Sequence, residues 1–248
     1  MSTRYRDAPL VEAIFEFAPQ RAVLSLDDAE LLRAELGTIY SGRTDQLTFG
    51  GVKVQVSKGQ ASTVSMPLPP RRRMWTPDGS RLVQFASDLF VFNALAPYSH
   101  YVDYLPAMED LFSRYSARAQ PDGTRFLGHR YINQIQLPAE ARPRDYFGVY
   151  PEIPAHMPAP PHPPFALNLQ TEPLSPGQVM MTLSFKGIEA EKPTYLLDIY
   201  ARTPDDPQIS FNWPEVRAWH DNAHEAVKRG FEFAITDQCR QFLGPEED

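Results

Sequence analysis

At 248 residues, with 42% apolar and 12% aromatic content, the chain is long enough to bury a substantial core, as one large domain or two small units sharing one. Its formal net charge of -7 opposes whole-molecule attraction to nucleic acid, and its single cysteine, Cys239, excludes both an intrachain disulfide framework and a thiolate-rich zinc site. No apolar run reaches the ~20 residues a membrane-spanning helix needs, and the opening MSTRYRDAPL lacks an apolar stretch with a cleavage site, so a cytoplasmic protein without membrane contact is expected.

PLVEAIFEF, Pro9 to Phe17, alternates Val11, Ala13, Phe15 and Phe17 against Leu10, Glu12, Ile14 and Glu16, the period of a strand with at least one buried face. SLDDAELLRAELGTIY carries Ser25 and Asp28 in a capping-box arrangement, with Ala29, Leu32, Leu36 and Ile39 on one helical face. That pattern predicts an amphipathic helix lying on a sheet. QLTFGGVKVQVS, ASTVSMPL, RRRMWT and SRLVQFASDLFVFNAL are rich in β-branched and aromatic residues. Gly-Gly, Lys-Gly, Pro-Asp-Gly and Ser-Asp punctuate them, so they read as an antiparallel meander. A second helix is expected from Tyr101 to Ala119, with Leu105, Met108, Leu111, Phe112 and Tyr115 as its stripe and Pro106 tolerated in its first turns.

After QPDGT the order begins again. RFLGHRYINQIQL predicts a long strand with Tyr131, Asn133, Ile135 and Leu137 on one face and Arg130, Ile132, Gln134 and Gln136 on the other. A short helical or irregular piece, PAEARPRDYFGVY, precedes PEIPAHMPAPPHPP, which holds seven of the 25 prolines and reads as an extended loop. The strands FALNLQTEPL, QVMMTLSFKG and PTYLLDIYART follow. A closing helix is expected from about Trp213 to Leu243, roughly 45 Å long, started by Asn212 with Glu215 and Pro214. Its stripe is Val216, Trp219, Ala223, Val227, Phe231, Ala234, Ile235 and Phe242.

Each half thus runs strand, helical segment, several antiparallel strands, long helix. The fold class is α+β, a single domain over residues 1–248 with pseudo-repeat halves 1–120 and 121–248. Such units join edge to edge into one curved antiparallel sheet with the long helices on one face and a concave face left free.

Taken together, PLVEAIFEF, LVQFASDLFVFNALAPY, RYINQI, YFGVYPEIPAHMP, YLLDIY and AHEAVKRGFEFAITDQCRQFLG resemble, across the whole chain, a sporadically distributed bacterial family of about this length with no established activity. The resemblance implies a single-domain cytoplasmic prokaryotic protein and supplies no catalytic residues. A patchy distribution is the habit of horizontally moved accessory genes, such as defence or toxin-antitoxin cargo.

Four groups of residues carry candidate chemistry. Asp198 in YLLDIYAR needs a partner if it is not solvated, and with Arg130, Tyr131 and Asn133 it would form a polar ligand site. Arg71 and Arg73 share one face of a strand while Arg72 takes the other; with Trp75 and Arg81 they would contact an anion or a partner, or guard an edge against unwanted pairing. The edge role is favoured, and nucleic acid is the least expected partner. His220 and His224 stand four apart on a helix face, but a metal would need a third ligand, and bonding to neighbouring strands is the plainer role. Cys239 is expected to be a bland helical cysteine. No phosphate loop, dinucleotide fingerprint or serine elbow occurs, and no cofactor is expected.

The leading functional reading is a non-enzymatic protein that binds a partner protein through the concave sheet face or the Pro-rich loop. The alternative is a small polar ligand-binding protein or enzyme with a pocket on that face. A homodimer is compatible with the apolar surplus of Phe90, Phe92 and Trp219, which a monomer's core would equally absorb.

Overall fold

The computed structural model describes residues 5–21, 24–48, 50–57, 60–67, 70–152, 162–171 and 177–246. Most of the Pro-rich segment, residues 153–161, lies outside them.

The strands of the N-terminal half are β1 (Leu10–Pro19), β2 (Thr44–Leu47), β3 (Gly50–Ser57), β4 (Gln60–Pro67), β5 (Arg71–Trp75), β6 (Arg81–Ala86) and β7 (Leu89–Leu95), with helices α1 (Leu26–Leu36) and α2 (Tyr101–Ala119). The C-terminal half contributes β8 (Thr124–Gln136), α3 (Pro143–Tyr146), β9 (Ala166–Gln170), β10 (Gln178–Glu189), β11 (Lys192–Arg202), α4 (Trp213–Ala234) and α5 (Asp237–Leu243). Nine strands form one antiparallel sheet in the order β2-β5-β6-β7-β1-β8-β11-β10-β9, and β3 with β4 makes a separate hairpin. The α+β class therefore holds. The expected meander holds for β5, β6 and β7, but the hairpin stands aside and β2 pairs directly with β5, from Thr44 opposite Met74 to Leu47 opposite Arg71.

The first strand of each half lies at the centre. Phe15 of β1 sits opposite both Phe92 of β7 and His129 of β8, so one alternating set of side chains continues across three strands. That set includes Phe15, Phe17, Phe90, Phe92, Leu127, Leu197 and Ile199, and it packs with Leu32 and Leu36 of α1, Met108, Phe112 and Tyr115 of α2, and Val216 and Val227 of α4 in one core. Fully burying each such side chain contributes roughly 1.5–3 kcal/mol. On the opposite face of the sheet the described residues form a small buried apolar group, Ala18, Leu89 and Val91 with Ile14 and Phe126, to which no described helical residue belongs.

Local chemistry sets the helix starts. The Ser25 hydroxyl accepts the Asp28 amide at 3.1 Å, and the Asn212 side chain accepts the Glu215 amide at 3.1 Å. The expected closing helix is instead two. Ile235 leaves the helical region at φ -107°, ψ 154° and bridges to Phe147. The Gly148 amide takes the Ala234 carbonyl at 2.8 Å, and Thr236 then caps α5 by accepting from the Cys239 amide at 3.3 Å. Pairing with the α3 turn outcompetes helix continuation, so α4 is about 33 Å long rather than 45. Ile39 also departs from the α1 stripe: it lies beyond the helix end and is exposed.

Candidate functional site

Alternation along β8 turns Leu127, His129 and Tyr131 towards the helices, and the four-residue spacing on α4 presents His220 and His224 to them. His129 and His220 are wholly buried, with their Nδ1 atoms 3.4 Å apart, and neither Nε2 has a protein hydrogen-bond partner. Phe15 stands edge-on to His129 at 4.8 Å between ring centroids, and Phe17 lies 4.9 Å from His220. His224 stacks on Tyr101 at 4.4 Å, while its Nδ1 lies 2.6 Å from the Tyr131 hydroxyl.

Burial fixes the protonation states. It lowers His220 to about 3 and His224 to about 4, and with help from the two neighbouring imidazoles it lowers His129 well below its ordinary value. Burial likewise raises the Tyr131 phenol well above its ordinary value. The Tyr131 hydroxyl therefore bridges neutral His224 and the Tyr98 hydroxyl, 3.3 Å away, donating to one and accepting from the other. Tyr101 donates outward to Asp221 at 2.9 Å. The cluster is a short hydrogen-bonded relay from half-buried His224 inward, closed off by aromatic rings. Among the described residues, no group of three or more His, Cys, Asp or Glu is placed to hold a metal ion. Cys239 is buried, and burial pushes its thiol up to about 12, which keeps it protonated.

The helix-free face holds the other polar groups. Arg130 grips Asp198 with two parallel contacts, Nε to Oδ1 at 2.8 Å being one. Tyr200 donates to Glu16 at 2.6 Å, across the backbone of Gly128. A Cβ on Gly128 would stand 2.7 Å from the Tyr200 hydroxyl and closer still to the Glu16 carboxylate. Gly128→Ala should therefore cost about 1–3 kcal/mol by parting that charge-assisted hydrogen bond. Urea unfolding of Gly128→Ala alone and in a Tyr200→Phe background tests this, because the penalty should shrink once the pair is gone. An equal penalty in both backgrounds would show that the clash acts elsewhere.

At the other end of this face Arg73 grips Asp45 bidentately at 2.7 Å, and Arg43 reaches the same carboxylate at 2.7 Å. Both guanidiniums lie over Trp75, at 5.0 and 4.9 Å, and hold Asp45 below its ordinary carboxylate range, Arg73 foremost. Arg72 points to the helix side and pairs with Glu30 of α1. β5 is bonded on both sides, by β2 and β6, so its arginines do not guard an edge as expected; β2 is the edge.

The structure thus brings Arg130 and Asp198 together but places Tyr131 and Asn133 on the opposite side of the sheet, where Asn133 donates to the Leu197 carbonyl at 3.1 Å. Arg73 and Trp75 meet. Arg81 faces the helices, 5.8 Å over Tyr104. Sequence reading missed His129 and the pair of Glu16 with Tyr200. His129 was detectable as a polar residue on the apolar side of the β8 alternation, between Leu127 and Tyr131.

Fold and clusters define an α+β protein with a helix-covered aromatic core and an arginine-bearing open sheet face. No protein-family profile, curated protein or solved structure matches the chain.

Proposed function

We propose that this is a non-enzymatic binding protein of the bacterial cytoplasm that works by holding a partner protein against the helix-free face of its sheet. The observation that carries the reading is the set of arginine–aromatic clusters on that face. Arg43 and Arg73 lie over Trp75, Arg202 over Phe126 at 4.3 Å, and Arg130 near Tyr200 at 6.0 Å. Arginine and aromatic residues are the types enriched in protein contacts and their hot spots. Nine strands at about 4.8 Å spacing, averaging roughly 27 Å in length, offer roughly 38 by 27 Å, enough for the ~800 Å² per partner of a standard interface.

The strand order supports an internal duplication. Counting outward from the centre, each half places its first strand, then its last, then the others in descending order. No helix of the described residues is long and apolar enough to cross a membrane, in keeping with the cytoplasmic reading. The accessory-gene role implied by the family resemblance belongs to the same proposal. The small-ligand alternative is weaker because Arg130 and Asp198 satisfy each other.

Native mass spectrometry of the protein co-expressed with its chromosomal neighbours tests the reading. A stoichiometric partner is expected, and Arg202→Ala, which removes the cation from over Phe126 and one exposed ion pair with Asp205, should weaken that complex about tenfold or more with little change in the melting temperature. A lone protein, or a complex indifferent to the variant, would overturn it. A lone protein carrying a discrete small mass would favour the ligand alternative.

A further inference from the structure

The β2 edge combines three features that the sheet face does not share. Thr44–Leu47 is hydrogen-bonded to β5 on one side, and no other described strand pairs with it. A cavity of about 230 Å³ lies beside it, lined by Arg33, Thr44, Asp45, Gln46, Arg72 and Arg73 among others. This volume is several times the ~30 Å³ share of one water molecule. The local charge also runs against the molecule: among the described residues, Arg33, Arg43, Arg72 and Arg73 share two carboxylates, Glu30 and Asp45, in their ion pairs, in a chain of net charge -7.

Donor counting shows what is left over. Four guanidiniums bring about twenty N–H donors, whereas two carboxylates accept about eight hydrogen bonds. Glu30, held below its ordinary range by Arg33 first and Arg72 next, is already shared between two arginines. Asp45 is shared in the same way by Arg73 and Arg43. Surplus donors around a cavity call for further carboxylate oxygens, and an unpaired strand edge calls for an extended backbone.

We propose that the β2 edge docks an extended acidic segment of the partner protein, which adds as a tenth strand and sets a carboxylate side chain between Arg33 and Arg72. This rests on the reading of the protein as a binding module and names the chemistry of what it binds. Strand addition draws affinity from main-chain hydrogen bonds and specificity from pockets for alternate side chains, and the cavity beside β2 is such a pocket. The same arginines repel basic segments and so restrict indiscriminate edge pairing. Nucleic acid would use the arginines but not the backbone edge.

The probe is a fluorescein-labelled octapeptide alternating Thr and Glu, titrated into the full chain by anisotropy at low salt. Saturable binding is expected. It should fall about tenfold or more when the Glu residues are N-methylated, and by a similar factor in Arg33→Glu/Arg43→Glu. Those two side chains are 50% and 70% exposed, so the melting temperature should not change. Hydrogen exchange at Thr44–Leu47 should slow on binding. Equal binding of the N-methylated peptide would show attraction by charge alone and overturn the proposal, as would tighter binding of an octathymidylate. A neighbour complex weakened in Arg202→Ala but indifferent to Arg33→Glu/Arg43→Glu would sink the edge site and leave the face reading standing.

Discussion

Between pH 7 and pH 5 the native state should lose about 4 kcal/mol of stability through His220 and His224, with His129 adding to the loss, a large share of the ~5–15 kcal/mol that holds typical domains. The source is the three imidazoles beneath α4. In the unfolded chain each titrates near 6.5, whereas in the native state His220 waits until about 3, His224 until about 4, and His129 is lowered as well. Below pH 6.5 the unfolded chain binds protons that the native state refuses. The stability is therefore full above that value and drains as pH falls, by about 2 kcal/mol each for His220 and His224 at pH 5. Carboxylates do not produce this window, because those with shifted values, such as Asp78 at about 2, move downward and release their contribution only in stronger acid. Urea midpoints measured from pH 7 to 5 check the slope, and His220→Phe, placed among aromatic rings, should remove about a third of it. A flat profile over this range would mean that the imidazoles are solvated in the native protein.

Phe15→Ala should cost about 3–5 kcal/mol at pH 7, near the top of the range for a single core substitution. Phe15 has no exposure, sits on a central strand, and touches four rings from four elements: Phe92, Tyr101, His129 and His220, at 5.9, 6.0, 4.8 and 5.9 Å between centroids. Its removal opens a cavity at the point where both halves and both long helices meet, and rigid neighbours on two strands limit collapse. Phe15→Leu should cost far less, about 1–2 kcal/mol, because most of the volume is kept. Urea unfolding at an unchanged slope distinguishes the two. A loss under about 1 kcal/mol for the alanine variant would indicate that the surroundings repack.

The elements with a strong period were legible in the sequence. α2 spans the expected Tyr101 to Ala119, and the alternation in β1 and β8 sorted their residues into the two sets found on opposite faces of the sheet, because a strand repeats every two residues. Caps built from neighbouring residues, Ser25 with Asp28 and Asn212 with Glu215, were equally readable. What depends on distant pairing was not. The break at Ile235 requires Phe147 to arrive from 88 residues earlier in sequence. The interior place of the arginine strand requires β2 to pair across an intervening hairpin. Period alone put Arg130 and Tyr131 on opposite faces, yet the proposed ligand site grouped them by proximity in sequence. The Glu16–Tyr200 bond lay beyond reach, since it spans 184 residues and depends on a glycine in a third strand leaving room.

The central position of β1 also has a consequence for synthesis. Strand β1, which leaves a ribosome before the strands it pairs with, needs two neighbours, and one of them, β8, begins only at Thr124. At ~5–20 residues per second, that partner follows on the order of ten seconds later. Throughout that interval the edge of a strand bearing Phe15 and Phe17 is unpaired, although it is destined for the middle of the sheet. The N-terminal half is thus a nascent-chain species with an aggregation-prone border, and the emergence of β8 closes it.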